Sequence, residues 1–178
     1  MPRAKKRAEQ FLLPAEFLRG NGQLALFTDG ACRGNPGVGA WAFLLQKKDG
    51  TIAAEKSAAV EFTTNNKMEL TAVIKGLEFL AGHTEECEVE MEDLFYLFSD
   101  SRYVVDGLAS WLPGWKRRGW KKADGNPPEN LDLWKKLDQL KQQFKKIEFV
   151  WVRGHAGHPQ NEYCDQLCNQ RLDNMKMT

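Results

Sequence analysis

Apolar and polar positions change their period along this chain, and the changes mark out elements. Leu24 to Thr28 alternates in strand-forming residues and runs into DGACRGNPGVG, whose glycines and proline force a turn. Ala40 to Gln46 (AWAFLLQ) predicts a second strand, and the Asp49-Gly50 pair after it predicts a hairpin turn. Thr51 to Val60 is a weaker third strand. These three form an antiparallel meander. From Asn66 the spacing becomes helical, with Leu70, Val73, Ile74, Leu77 and Leu80 on one stripe that ends near Gly82.

Leu94 to Ser99 (LFYLFS) is a nearly continuous apolar run of strand length. Such a run predicts a strand buried on both faces, hence central and parallel to a neighbour. Val104 to Trp111 predicts a short helix broken by Pro113-Gly114. Asn130 is placed to cap a further helix carrying Leu133, Trp134, Leu137, Leu140 and Phe144. Ile147 to Val152 reads as another buried strand, Gly154 to Pro159 as a loop, and about Gln160 to Met175 as a last helix. The order β-β-β-α-β-α-α-β-α predicts an α/β fold: a mixed five-stranded sheet, three strands antiparallel and two parallel, flanked by helices.

A length of 178 residues suits one domain. Residues 1–22 are expected to be a basic tail, disordered at the start with a helical turn near 15–19, and residues 23–178 the single folded domain. No apolar run approaches the ~20 residues of a membrane span, and no secretory signal is read at the N-terminus. Cys32, Cys87, Cys164 and Cys168 form no CxxC pair, which excludes zinc ribbons and thioredoxin-like sites and favours a cytoplasmic location. The net charge of +1 hides two opposite patches. Residues 81–93 hold only acidic charges, whereas WKRRGWKK (115–122) holds five cations with two tryptophans.

Four acids stand out by position. Ligands of open α/β sheets sit beyond the carboxyl ends of strands, which is where Asp29 and Asp100 fall. Glu69 and Asp165 lie on the edges of apolar helix stripes. Carboxylates converging there would raise one another's pKa, and a divalent cation with oxygen preference relieves them. Taken singly, each also reads as an ordinary helix-face, turn or cap residue.

The strings FTDGACRGNPG, TTNNKMEL, SDSRYV, WKRRGWK, NLDLW and WVRGHAGHPQNEYCD decide more than spacing does. In this order, from about Leu24 to Asp173, they resemble the type 1 ribonuclease H family in its bacterial form. The resemblance implies a ribonuclease H-like fold and an endonuclease that cuts the RNA strand of an RNA–DNA hybrid, with 3′-OH and 5′-phosphate products. The family's metal-binding acids map onto Asp29, Glu69, Asp100 and Asp165, holding two Mg²⁺ ions (Mn²⁺ a possible substitute) that clamp the scissile phosphate. Its mobile histidine maps onto His155, which would move a proton or help product leave. Glu162 matches an assisting acid, and His158 reads as structural or exposed.

Asn35, Asn65 and Asn66 match positions that sense sugars and bases in the minor groove, where the 2′-OH separates RNA from DNA. Thr64 matches a phosphate contact to the DNA strand. Lys116, Arg117, Arg118, Lys121 and Lys122 match the basic protrusion and would supply salt-dependent affinity. Trp111, Trp115 and Trp120 shape that element, with Trp115 and Trp120 also placed as substrate contacts.

The chain departs from the family pattern at three points. Arg102 stands where Gln is common and would add a phosphate contact or alter groove reading. Gly114 replaces a frequent Asn, and Phe62 a frequent Arg, which weakens the expected DNA-phosphate pocket. A monomer is expected. Two other readings stay open at this point: a non-catalytic nucleic-acid-binding module of the same fold, and a DNA-processing nuclease of the wider superfamily.

Overall fold

A computed structural model describes residues 11–154 and 156–176 of the chain. The elements are α1 (Ala15–Arg19), β1 (Leu24–Arg33), β2 (Gly37–Lys47), β3 (Ile52–Thr63), α2 (Asn65–Gly82), β4 (Leu94–Ser99), α3 (Arg102–Asp106), a π-helical turn (Gly107–Trp111), α4 (Leu112–Arg117), α5 (Leu131–Gln143), β5 (Lys146–Trp151) and α6 (Pro159–Lys176). The strands form one sheet in the order β3-β2-β1-β4-β5. β2 is antiparallel to both β1 and β3, while β4 runs parallel to β1 and to β5. This is the mixed five-stranded sheet that the pattern predicts.

Side chains alternate across the sheet and fill two cores. Leu24, Leu26, Phe43, Leu45, Phe95 and Leu97 face α2 and α5. Ala25, Phe27, Ala42, Leu44, Tyr96 and Phe98 face α1 and α6. β1 and β4 therefore bury both faces along their paired lengths, which explains the nearly continuous apolar run of β4. Among the described residues, no helix is long and apolar enough to cross a membrane.

The turn expected near 15–19 forms as α1, and its Phe17 is fully buried beside Tyr96, with ring centroids 5.8 Å apart. Lys48 donates to the carbonyls of Phe17 and Gly20, closing the C-terminal end of that turn. The basic run before Phe11 lies outside the described residues.

Two local expectations need correction. Pro113-Gly114 does not break the chain after Trp111: both residues lie inside α4, with the proline in its first turn, where a missing N–H costs little. The irregularity falls earlier, in the π-helical turn that begins at Gly107. A Cβ on Gly107 would sit 2.1 Å from the Trp134 ring, so the glycine admits that indole. Asn130 does precede α5, but at φ 56° it is left-handed, and its side chain donates to Tyr103 Oη instead of capping the helix.

Candidate active site and nucleic-acid interface

The strand register brings the first two acids together. Thr28 pairs with Ser99 in the parallel ladder, so Asp29 and Asp100 are the next residues beyond it on neighbouring strands. Glu69 arrives from α2 because β1 has no side chain at residue 30. A Cβ on Gly30 would lie 2.4 Å from the Glu69 backbone nitrogen, a clash that only glycine avoids. Cys164 and Cys168, both fully buried, seat α6 against β1, with Cys168 Sγ 3.6 Å from the Asp29 carbonyl oxygen. This placement brings Asp165 to the same cleft.

Asp29, Glu69, Asp100 and Asp165 line an open cleft of about 390 Å³, together with Ala31, Cys32, Asn65 and Ser101. Carboxylate oxygens of Asp29, Glu69 and Asp100 lie within 4.8 Å of one another. Asp165 stands on the rim, outside that tight trio.

Such crowding in a buried place is costly. Burial first, then the charges of Asp100 and Asp165, raise the Asp29 carboxyl to about 8, against the pull of the Gly30 N–H that its Oδ1 accepts at 3.0 Å. Burial, with the charges of Asp29 and Asp100, holds Glu69 well above the usual carboxylate range. Glu69 Oε2 is buried with no hydrogen-bond partner among the described residues. A hard divalent cation fits this set: it takes oxygen ligands, offsets the repulsion and satisfies the unpaired oxygen.

The loop beside the cleft is close to Asp100. A Cβ on Gly154 would lie 3.1 Å from Asp100 Oδ2. His155 itself lies outside the described residues. His158 is half-buried against the rings of Phe27 and Phe98, and burial lowers its pKa. Glu162 is exposed on α6, one turn before Asp165.

Two further hollows continue from the acidic cleft. Asn65 also lines a polar groove with Asn35, Pro36, Thr64, Asn66, Lys67, Glu129 and Asn130. Asn35 Oδ1 accepts the Asn65 N–H at 3.0 Å, and Thr64 caps α2 by accepting from the Lys67 N–H. Glu129 in turn borders an apolar hollow of about 420 Å³ that includes Tyr103, Trp111, Trp115, Arg118 and Lys122. The three form one track across the surface, each sharing a residue with the next.

The basic stretch is not uniform. Lys116 Nζ pairs with buried Asp138 at 3.1 Å, and Arg118 Nε donates to the Lys121 carbonyl at 3.2 Å, while Arg117 and Lys121 are exposed. Trp115 is buried edge-on against Trp134, and Trp120 packs at the margin of the core beneath Lys135. Arg102 is exposed, with its guanidinium 3.7 Å over the Trp151 ring, and Trp151 Nε1 donates to the Asp100 carbonyl at 3.1 Å. Phe62 is 75% exposed. Asn130 was legible only as a cap, because its left-handed backbone and its place in the groove depend on Tyr103.

A sheet of this order, with acids gathered at the ends of paired parallel strands, defines an enzyme class whose site can hold a divalent cation. Comparison with known proteins makes the class specific. The sequence matches the RNase H family over residues 21–173. Ribonuclease H of Thiobacillus denitrificans is 50% identical over 145 residues, covering 82% of this chain and 90% of that protein. RNase H1 of the halophilic archaeon Halobacterium salinarum NRC-1 is similar in structure, with a TM-score of 0.65 at 30% identity over 86% of this chain and 99% of that one. LC11-RNase H1, solved in complex with RNA/DNA hybrid, gives a TM-score of 0.66 at 25% identity, again over 86% and 99%. The chain belongs to the RNase H family, and it is a ribonuclease of that family.

Proposed function

We propose that the protein hydrolyses the RNA strand of RNA–DNA hybrids by a two-metal-ion mechanism. The observation that carries this is the trio of carboxylate oxygens within 4.8 Å at the end of two parallel strands, opening onto a track of amides and cations. Asp29, Glu69 and Asp100 would hold the cations from the tight cluster, and Asp165 would add a ligand from the rim. When bound, two Mg²⁺ ions supply an activated water and stabilise the departing 3′ oxygen, leaving 3′-OH and 5′-phosphate ends. Mn²⁺ is the expected substitute.

The chain's own residues would do the rest. Asn35, Asn65 and Asn66 present amide groups that can both donate to and accept from a 2′-OH, which DNA lacks. Thr64 would hold a DNA-strand phosphate. Arg117, Arg118, Lys121 and Lys122 would add salt-dependent attraction, with Arg102 adding charge at the cleft edge. Trp115, being buried, would shape the basic element, and Trp120 would border it. His155 is assigned the movement of a proton or the help with product release that the family resemblance implies. The protein is proposed to act as a cytoplasmic monomer.

The test is cleavage of end-labelled hybrid, double-stranded RNA and double-stranded DNA, each with Mg²⁺ and with EDTA. The proposal expects Mg²⁺-dependent cutting of the hybrid's RNA strand alone. Hybrid binding by folded protein without cutting would instead support the non-catalytic module.

A further inference from the structure

Asp165 is the one acid of the four outside the tight trio, and a column of side chains on α6 bears on it. Asn169, one helical turn on, donates its side-chain amide to Asp165 Oδ2 at 3.3 Å and to the Asp165 carbonyl at 3.1 Å. The amide oxygen is occupied as well: Arg33 donates to Asn169 Oδ1 at 3.3 Å. A guanidinium can only donate, so it fixes the amide with its NH₂ toward Asp165. Arg33 is held in turn by Asp173, one further turn along α6, at 2.8 Å. Arg33 ends β1, the strand that carries Asp29. One strand thus places Asp29 directly and braces Asp165 through Asn169.

We propose that Asn169, oriented by Arg33, is a positioning residue for the Asp165 carboxylate. With Oδ2 held in this way, Oδ1 is the oxygen that Asp165 would offer a cation. This rests on the reading of Asp165 as a metal ligand. A rim carboxylate on an α-helix otherwise samples several rotamers, and ordering it on metal binding costs affinity. Partners that orient a ligand in this way commonly change metal affinity about 10-fold or more when removed.

The experiment measures Mn²⁺ binding by electron paramagnetic resonance and the Mg²⁺ dependence of hybrid cleavage, on variants shown by circular dichroism to be folded. Asn169→Ala is expected to weaken Mn²⁺ binding and to raise the half-saturating Mg²⁺ concentration about 10-fold, with much less change in the rate at saturating Mg²⁺. Arg33→Ala is expected to follow it, Arg33→Lys to recover much of the loss, and Arg33→Ala/Asn169→Ala to be no worse than Asn169→Ala alone. Unchanged metal dependence in Asn169→Ala, or additive losses in the double variant, would overturn the inference. Asp29→Asn separates the two levels. If it binds Mn²⁺ as the parent does, the metal-site reading fails; if it loses Mn²⁺ while Asn169→Ala does not, only the positioning role fails.

Discussion

Gln160 donates its side-chain amide to Gln46 Oε1 at 3.0 Å, and both residues are fully buried. The same amide donates to the Leu12 carbonyl at 2.8 Å, and Gln46 donates to the carbonyls of Phe11 and Gly50. One pair of amides thus ties the N-terminal segment, the β2–β3 hairpin and the start of α6. The family match covers residues 21–173, so most of this segment precedes the matched region.

The segment should contribute to stability. Phe17→Ala empties a fully buried ring site and is expected to cost about 3–5 kcal/mol. Gln160→Leu would strand Gln46 Oε1 and the Leu12 carbonyl, at about 1–3 kcal/mol. Thermal melts check both, and melting temperatures equal to the parent's would show that the segment merely rests on the domain.

The acidic cleft should make metal-free protein sensitive to pH in an unusual direction. Asp29 has a folded pKa of about 8 against an ordinary 3.8, so between these values the folded state binds more protons than the unfolded one. Stability from this group is full below pH 3.8 and is lost as pH rises through 8. Glu69 shifts in the same direction. In EDTA, Asp29→Asn should therefore melt higher than the parent at pH 8, with the gap closing toward pH 4. A parent melting temperature that does not fall over this range, or an Asn variant that gains nothing, would contradict the electrostatic account.

The basic stretch should divide into a structural cation and a binding one. Lys116→Ala removes the cationic partner of Asp138, which is 6% exposed and keeps the Gln142 amide, and is expected to destabilise by about 1–3 kcal/mol. Arg117→Ala should leave the melting temperature unchanged, weaken hybrid affinity and lower the slope of affinity against salt by about one. Equal melting losses in both variants, or an unchanged slope for Arg117→Ala, would reject the division.

Arg102 should act on substrate more than on stability. Its contact with Trp151 is exposed and worth only about 0.5–1 kcal/mol. Arg102→Gln is expected to shift the melting temperature little while weakening hybrid binding at low salt. Binding equal to the parent's would remove Arg102 from the interface.

The central strands were legible from their apolar runs, whereas β5, expected to be buried, is an edge strand with no buried residue. Leu94–Ser99 is read correctly to the residue, since a strand buried on both faces leaves an unbroken apolar string with polar ends. Asp100 was legible from a strand end and Glu69 from its place beside an apolar stripe; Asp29, expected beyond its strand, lies within β1, which runs on to Arg33, and it is the parallel ladder to β4 that ends at Thr28. What escaped depends on distant partners. Pro113-Gly114 looks like a break, but the helix is disturbed earlier, where Trp134 packs on Gly107. Asn130 looks like a cap, yet Tyr103 claims its side chain. Phe11 and Phe17 sit beside a basic run and read as tail, although the α6 face of the sheet buries them. The tie from Arg33 to Asn169 joins residues 136 apart and has no local signature.

The carboxylate cluster is expected to perform the cleavage itself. The most direct measurement is single-turnover cutting of labelled RNA–DNA hybrid by Asp29→Asn beside the parent, with hybrid affinity and circular dichroism recorded on the same samples. The expected result is a folded variant that still binds the hybrid and no longer cuts its RNA strand. Cutting at the parent's rate would contradict it.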